Sequence, residues 1–160
     1  MRKHGHCSWC GAEFPDTPFP RTCQSCKRTT WLNPLPVAVL LLPVDDGFLL
    51  IRRAEATGHG KLALPGGFID LGETWQRACA RELFEETGIT ISADEVTCAG
   101  VRSSPDGFLL VFGRGPRLRE VDLPAFVPNA EISERLVTRA PVPLAFTLHE
   151  EMLRQAFARA

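Results

Sequence analysis

The sequence has little net charge and no long hydrophobic run. Its 18 lysines and arginines nearly balance 19 aspartates and glutamates, and the net charge of −1 gives the whole chain no attraction to nucleic acid or to an anionic membrane. No apolar run reaches the roughly 18 residues that a membrane-spanning helix needs, and the start of the chain, MRKHGHCSWC, lacks the apolar segment of a signal peptide. We therefore expect a soluble, cytoplasmic protein without membrane or nucleic-acid partners.

The cysteines indicate a metal site rather than disulfide bonds, because a cytoplasmic chain keeps its thiols reduced. Four of them form two C-x-x-C pairs separated by twelve residues, namely Cys7, Cys10, Cys23 and Cys26. This spacing is typical of a zinc ribbon, in which four thiolates hold one tetrahedral Zn²⁺ ion. The surrounding segment is short and polar, so we expect zinc to be required for its folding. The remaining cysteines, Cys79 and Cys98, are predicted to be small core residues.

A cluster of glutamates in residues 66–89 carries the chemistry. On a helix, Glu82 and Glu86 lie one turn apart and Glu85 lies beside them, so three carboxylates share one face within roughly 6 Å. Like charges at this separation disfavour ionisation, and a divalent cation that prefers oxygen ligands reverses that balance. The cluster therefore predicts a site for Mg²⁺ or Mn²⁺. The helix is expected to begin near Thr74 and to end with Gly88 in the left-handed conformation.

This stretch resembles the Nudix box. Every defined position agrees, as shown by Gly67, Glu73, Arg81, Glu82, Leu83, Glu85, Glu86, Gly88 and Ile89. A solvent-exposed acidic helix would explain the glutamates, but it would explain neither the Gly-Gly loop nor the arginine among them. On this motif the chain is identified as a member of the Nudix hydrolase family.

The order of predicted elements agrees with that family. Strands are indicated at residues 37–43 and 48–54 before the box and at 95–101, 108–114 and 131–137 after it, and an amphipathic helix is indicated at 145–159. This order predicts an α/β fold. The resemblance implies the Nudix α/β/α sandwich with a mixed sheet in residues 34–160, preceded by a small zinc ribbon in residues 1–33.

The resemblance also implies roles for the acidic residues. Glu82, Glu85 and Glu86 would hold the catalytic Mg²⁺ or Mn²⁺, which offsets the charge of a diphosphate and polarises phosphorus towards water. In the family the general base is either a glutamate of the box or one from a later loop, so the motif does not fix it; we expect Glu82, with Glu131 as the alternative. Glu131 lies in a segment, Ala130–Glu134, that is similar to the part of NADH pyrophosphatases that supplies a further metal-binding glutamate.

Three further positions support the metal cluster. Arg81 is expected to orient Glu73 or Glu85 through a bidentate pair rather than to contact substrate. Glu73 would reach the metal through water. Gly66 and Gly67 let the backbone approach a ligand closely and would offer it to the phosphates or the metal.

The substrate class follows from the arrangement of the two parts. A zinc ribbon before a Nudix domain is similar to NADH pyrophosphatases and to some ADP-ribose pyrophosphatase relatives, which are commonly homodimers. The implied activity is hydrolysis of the diphosphate linkage in a nucleoside diphosphate joined to another group, ADP-ribose or NAD(H)-like. The segment Arg102–Phe108 agrees only in part with the SQPWPFP stretch of NADH pyrophosphatases, whereas Pro105 lies where ADP-ribose pyrophosphatases carry a proline.

A competing class is a binding module. In that case the Nudix fold would sense a nucleotide without cleaving it, and the zinc ribbon would bind protein or nucleic acid. The intact set of glutamates argues against this alternative, because a sensor does not need the full set of metal ligands.

Overall fold

The computed structural model describes residues 3–159, and the chain divides into two compact units with the boundary between Pro34 and Leu35. In the first unit, strands β1 (Arg21–Thr22) and β2 (Thr29–Thr30) form an antiparallel ribbon. Its hydrophobic cluster contains three buried residues, Cys7, Phe14 and Cys23. Two of the three are cysteines, so the segment has little apolar packing apart from its predicted metal ligands.

The second unit contains eight strands and two α-helices in its described part. Their bounds are β3 (Leu35–Leu41), β4 (Pro43–Val44), β5 (Gly47–Arg53), β6 (Leu62–Ala63), β7 (Gly66–Phe68), α1 (Trp75–Thr87), β8 (Thr97–Ser104), β9 (Phe108–Arg114), β10 (Ile132–Thr138) and α2 (Thr147–Phe157). Short 3₁₀ turns cover Ala93–Glu95 and Glu120–Asp122. Neither α-helix has the length and apolar character that crossing a bilayer would require.

The strands form two sheets. The first has the order β7-β3-β9-β8 and is mixed, because β3 and β9 are parallel while the other neighbours are antiparallel. The second has the order β10-β5-β4, with β6 also paired to β5, and is antiparallel. The predicted α/β class with a mixed sheet is confirmed.

Alternation along β3 builds the core on both faces of the first sheet. Ala38 and Leu40 point to one face and pack against helix α1 through Leu83. Val39 points to the other face and packs in a second cluster with Leu153 of helix α2. The first sheet is therefore covered on both sides, which explains why residues 38–42 read as a continuous apolar run.

One core prediction is wrong. Cys79 is buried on the inner face of α1, as expected, but Cys98 is exposed. Cys98 lies on β8, the edge strand of the first sheet, and the pairing register shifts between Cys98 and Gly100. Edge strands and register irregularities leave residues at the solvent that a simple alternation would bury.

Candidate metal centres and active site

The four ribbon cysteines converge on one point. Their sulfur atoms all lie within 4.8 Å of one another, with Sγ–Sγ distances of 3.7 Å between Cys7 and Cys26 and 3.6 Å between Cys10 and Cys23. A tetrahedron with Zn–S bonds of about 2.3 Å has edges of about 3.8 Å, so the spacing fits zinc. Each pair sits in a tight turn: the Gly11 N–H donates to the Cys7 carbonyl at 3.0 Å, and the Lys27 N–H donates to the Cys23 carbonyl at 2.9 Å.

Helix α1 has the predicted bounds, and its three glutamates differ in how deeply they are buried. The Thr74 hydroxyl accepts from the Arg77 N–H at 3.3 Å, and Gly88 ends the helix with φ 74°. Ala78, Cys79, Leu83 and Thr87 form the face packed on the sheet. Glu86 belongs to this buried face, Glu82 lies at its margin and Glu85 points to solvent.

The two glycines before the helix allow β7 and α1 to meet at close range. A Cβ atom on Gly67 would lie 2.5 Å from Cδ of Glu82, and one on Gly66 would lie 2.8 Å from Cα of Val39. Gly66 has φ 154°, and its N–H donates to Oε2 of Glu86 at 2.9 Å. The Gly66 N–H therefore holds a box carboxylate directly.

Arg81 connects the loop before the helix with the glutamates on it. It donates to both carboxylate oxygens of Glu73, at 3.1 and 3.0 Å, and its Nη1 donates to Glu82 at 2.7 Å and to Glu85 at 3.1 Å. Nη2 also donates to the Phe68 carbonyl at 2.9 Å. The hydrogen bonds with Glu73 raise the pKa of Arg81 and lower the pKa of Glu73. Arg81 thus donates five hydrogen bonds, and four of them fix the carboxylates of Glu73, Glu82 and Glu85.

Burial makes the two inner carboxylates costly to ionise. Glu86 is 4% exposed, and this burial raises its pKa to about 8, although the Gly66 N–H opposes the shift and the nearby Glu82 charge adds to it. Burial also raises the pKa of Glu82, against the effect of Arg81. Closely spaced, desolvated oxygen donors of this kind are the environment that a divalent cation stabilises.

Glu131 reaches the same site from a distant part of the chain. Its negative charge contributes to the raised pKa of both Glu82 and Glu86. Its carbonyl accepts from the Ala54 N–H at 2.6 Å, next to the pairing of β10 with β5. Asn129 fixes this turn, because its Oδ1 accepts from the Glu131 N–H at 2.9 Å and its Nδ2 donates to the Glu85 carbonyl at 3.1 Å.

The three box glutamates do not gather as tightly as the cysteines. Among residues 3–159, the cysteine cluster is the one set of three or more ligand atoms that all lie within 4.8 Å of one another. Glu85 has a side chain that is 54% exposed and directed at Arg81, whereas Glu86 is held by Gly66. The oxygen donor set still fits Mg²⁺ or Mn²⁺, because both ions prefer carboxylates and complete their coordination with water.

A NUDIX domain family model matches residues 33–146. The chain belongs to the Nudix family. A curated relative is the NAD-capped RNA hydrolase NudC of Escherichia coli (strain K12 / DH10B), which is 34% identical over 94 residues. That match covers 56% of this chain and 35% of NudC, so the chain spans about a third of the length of the curated relatives it matches.

Solved structures with this fold include other Nudix proteins. The Nudix hydrolase from Nitrosomonas europaea has a TM-score of 0.78 and 26% identity, and the match covers 96% of this chain and 90% of that one. A bifunctional NMN adenylyltransferase/ADP ribose pyrophosphatase from Francisella tularensis, complexed with AMP and a manganese ion, has a TM-score of 0.56 and 26% identity. That match covers 65% of this chain and 33% of that one.

Two residues near the Nudix box were missed on the sequence alone. Asn129 fixes the Glu131 turn, and an asparagine two residues before a candidate glutamate is a signal for such a turn. Arg53 is the other, because its positive charge lowers the pKa of Glu86 and of the buried His149. The sequence shows that Arg52 and Arg53 point to opposite faces of β5, but pairing with β10 decides which of them the site receives.

Proposed function

We propose that this chain is a divalent-metal-dependent hydrolase of the diphosphate linkage in a nucleoside diphosphate joined to another group, of the ADP-ribose or NAD type. The observation that carries the proposal is the complete Nudix box, whose part on α1 places two desolvated carboxylates, Glu82 and Glu86, beside the exposed Glu85. The names of two relatives support the substrate class, since one is a NAD-capped RNA hydrolase and the other an ADP ribose pyrophosphatase bound to AMP and manganese.

In this proposal Glu82, Glu85 and Glu86 bind Mg²⁺ or Mn²⁺. A bound metal would neutralise the charge of the diphosphate and polarise phosphorus towards attack by water. Arg81 and Glu73 orient the ligands through their paired hydrogen bonds, and Gly66 holds the Glu86 carboxylate. These side chains are positioned before substrate arrives, which reduces the reorganisation that catalysis requires.

The proton of the attacking water passes to Glu131 or Glu82. Burial raises the pKa of Glu82, but Arg81 already occupies one of its carboxylate oxygens at 2.7 Å and the bound metal would engage the carboxylate as well, which leaves it less available to take a proton from water. Glu131 is exposed, lies near enough for its charge to contribute to the raised pKa of Glu82 and Glu86, and forms no ion pair with another described residue. These observations support Glu131 as the base, and hydrolysis by Glu131→Gln compared with Glu82→Gln over a range of pH tests the order.

The four cysteines hold one structural zinc ion in this proposal, and the family resemblance adds a homodimer. Their convergence within 4.8 Å supports a closed site without an open position for substrate. Elemental analysis should give one zinc per chain, and sedimentation equilibrium should give twice the mass of one chain.

The experiment is hydrolysis of a substrate panel with Mg²⁺ and then Mn²⁺, followed by chromatography of the products. The panel contains ADP-ribose, NAD, NADH, FAD, nucleotide sugars, diadenosine polyphosphates and nucleoside triphosphates. We expect AMP from ADP-ribose or NADH, and Glu86→Gln should lose this hydrolysis. Glu134→Gln is the matched control, because Glu134 is exposed and pairs with Arg52 at 2.6 Å outside the box.

Full activity of Glu86→Gln would overturn the metal role of that residue. If no compound were cleaved with either metal while one of them bound and raised the melting temperature, the protein would be a nucleotide sensor instead.

A further inference from the structure

The net charge of −1 is the sum of two net charges of opposite sign, one on each unit. Residues 1–34 contain five lysines and arginines against two acidic residues, a net charge of +3. Residues 35–160 contain thirteen against seventeen, a net charge of −4. The absence of an attraction to polyanions, inferred from the whole chain, therefore does not apply to the first unit, since screening confines such attraction to about 10 Å at ordinary salt.

Two of these cations, Lys27 and Arg28, form an exposed basic tip on the second cysteine turn. Lys27 has φ 61° and donates its N–H to the Cys23 carbonyl, and the Cys23 N–H donates to the Arg28 carbonyl, both at 2.9 Å. Both side chains are exposed, and neither forms an ion pair with a residue in the described range 3–159. Their backbone is fixed by the cysteine turn, so binding a ligand there costs little ordering of the main chain.

Arg21 in the same unit has a different role. It donates to the Thr17 carbonyl at 2.5 Å and to the His4 carbonyl at 3.3 Å, and its guanidinium lies 4.2 Å from the ring centroid of Phe19. These contacts are internal, so Arg21 supports the fold of the unit and is not available to a partner in the way that Lys27 and Arg28 are.

An exposed indole lies next to the basic tip. Trp9 is 60% exposed, and its Nε1 donates to the Thr29 carbonyl at 3.4 Å. The guanidinium carbon of Arg28 lies 4.6 Å from the Trp9 ring centroid, a cation–π contact that holds the ring beside the charge. The rest of the ring surface remains open to solvent.

We propose that Trp9, Lys27 and Arg28 form a binding surface for single-stranded nucleic acid. A base stacks on the open part of the Trp9 ring, while the adjacent phosphates contact Lys27 and Arg28. An aromatic platform flanked by cations is the combination that binds single strands with little sequence preference. A duplex fits less well, because its bases are stacked on each other and cannot cover the indole. The same face of a second copy also fits less well, because it would bring like charge against like charge.

The test measures binding of the full-length, zinc-loaded protein to a fluorescent oligouridine of about twelve nucleotides. The oligonucleotide carries a 5′-hydroxyl and no diphosphate, so its binding does not depend on the proposed hydrolysis. Trp9→Ala should weaken binding roughly 5- to 100-fold, whereas Trp9→Phe, which keeps an aromatic face, should retain most of the affinity.

Salt dependence separates the role of charge from that of stacking. Between about 50 and 200 mM salt, removing Lys27 and Arg28 together should reduce the slope of log K against log salt by about 1.4. The control is Arg119→Ala with Arg159→Ala, which removes two exposed arginines from the second unit and should leave the slope unchanged. Zinc content is measured for every variant to show that the ribbon is intact.

Three outcomes would overturn the proposal. The first is no salt-dependent binding by the unaltered protein, and the second is unchanged affinity of a zinc-containing Trp9→Ala variant. The third is a loss of self-association in Trp9→Ala with unchanged oligonucleotide affinity, which would assign the surface to contacts between copies.

Discussion

Replacing Glu86 with glutamine should stabilise the metal-free protein at alkaline pH and remove its response to metal. Glu86 is 4% exposed, and burial raises its pKa from 4.5 to about 8. In this range the folded state binds the proton more tightly than the unfolded state does. The stabilising effect of the protonated group is therefore complete below about pH 4.5 and is lost as the pH rises through about 8. Glutamine has no such titration, and its amide oxygen can still accept the Gly66 N–H.

The size of the effect follows from the two pKa values. At about 1.4 kcal/mol per tenfold change in proton affinity, the cost of ionising Glu86 in the metal-free fold is about 5 kcal/mol. For a chain of this length, that corresponds to a difference in melting temperature of roughly 10 to 20 °C between Glu86→Gln and the unaltered protein at high pH. At about pH 5 the difference should be small.

The assay is the melting temperature from about pH 5 to 9 without Mg²⁺ or Mn²⁺, repeated with each metal at saturation. The unaltered protein should lose stability relative to Glu86→Gln as the pH rises, and metal should restore it in the unaltered protein alone. Glu134→Gln is the matched control, because its carboxylate is 49% exposed and lies outside the box, so this variant should show neither effect. Parallel pH profiles for Glu86→Gln and the unaltered protein would refute the reasoning, as would equal stabilisation of both by metal.

Three further substitutions test other parts of the structure. Gly67→Ala places a Cβ 2.5 Å from Cδ of Glu82, so we expect the Glu82 carboxylate to be displaced and Mn²⁺ binding by calorimetry to weaken, with little change in urea unfolding because only the end of a flexible side chain must move; unchanged Mn²⁺ binding would show that the close approach is unimportant. Arg81→Lys loses the bidentate bond to Glu73, and unfolding free energy should fall by about 1–3 kcal/mol, whereas Arg77→Lys, at an exposed position, should have little effect. His149 is buried with an unpartnered Nδ1, and burial, with the Arg53 charge adding to it, lowers its pKa from 6.5 to about 3. Its stabilising effect is present above pH 6.5 and is lost as the pH falls towards 3, so His149→Phe should melt at a less pH-dependent temperature in acid; an unchanged acid profile would contradict this.

Local signals predicted the helix that carries the box. Thr74 and Gly88 define its ends through contacts within a few residues, so the sequence contains all the information that places Glu82, Glu85 and Glu86 on it. The cysteine spacing predicted the convergence of the four sulfur atoms for the same reason, because each pair lies in its own tight turn.

Features that depend on distant pairing were harder to predict. The position of Glu131 depends on the pairing of β10 with β5, which no local pattern encodes. The exposure of Cys98 depends on a register shift at a sheet edge. Whole-chain charge also conceals a local difference, because averaging over both units cancels a basic segment that contains Lys27 and Arg28.

Arg81 has one more consequence, which concerns redesign of the protein. Its five donors are all used by groups on β7, the following loop and α1. These hydrogen bonds of Arg81 therefore hold residues 66–88 together as one structural unit. Exposed positions outside it, such as 55–57 and 127–128, can be changed in length or charge while the carboxylates keep their geometry. Ala54, which holds the Glu131 carbonyl, and Leu118 and Leu123, which pack against the core, should be kept. Variants with new substrate preferences should accordingly be sought in libraries that vary residues 55–57 and 127–128 and keep residues 66–88 unchanged.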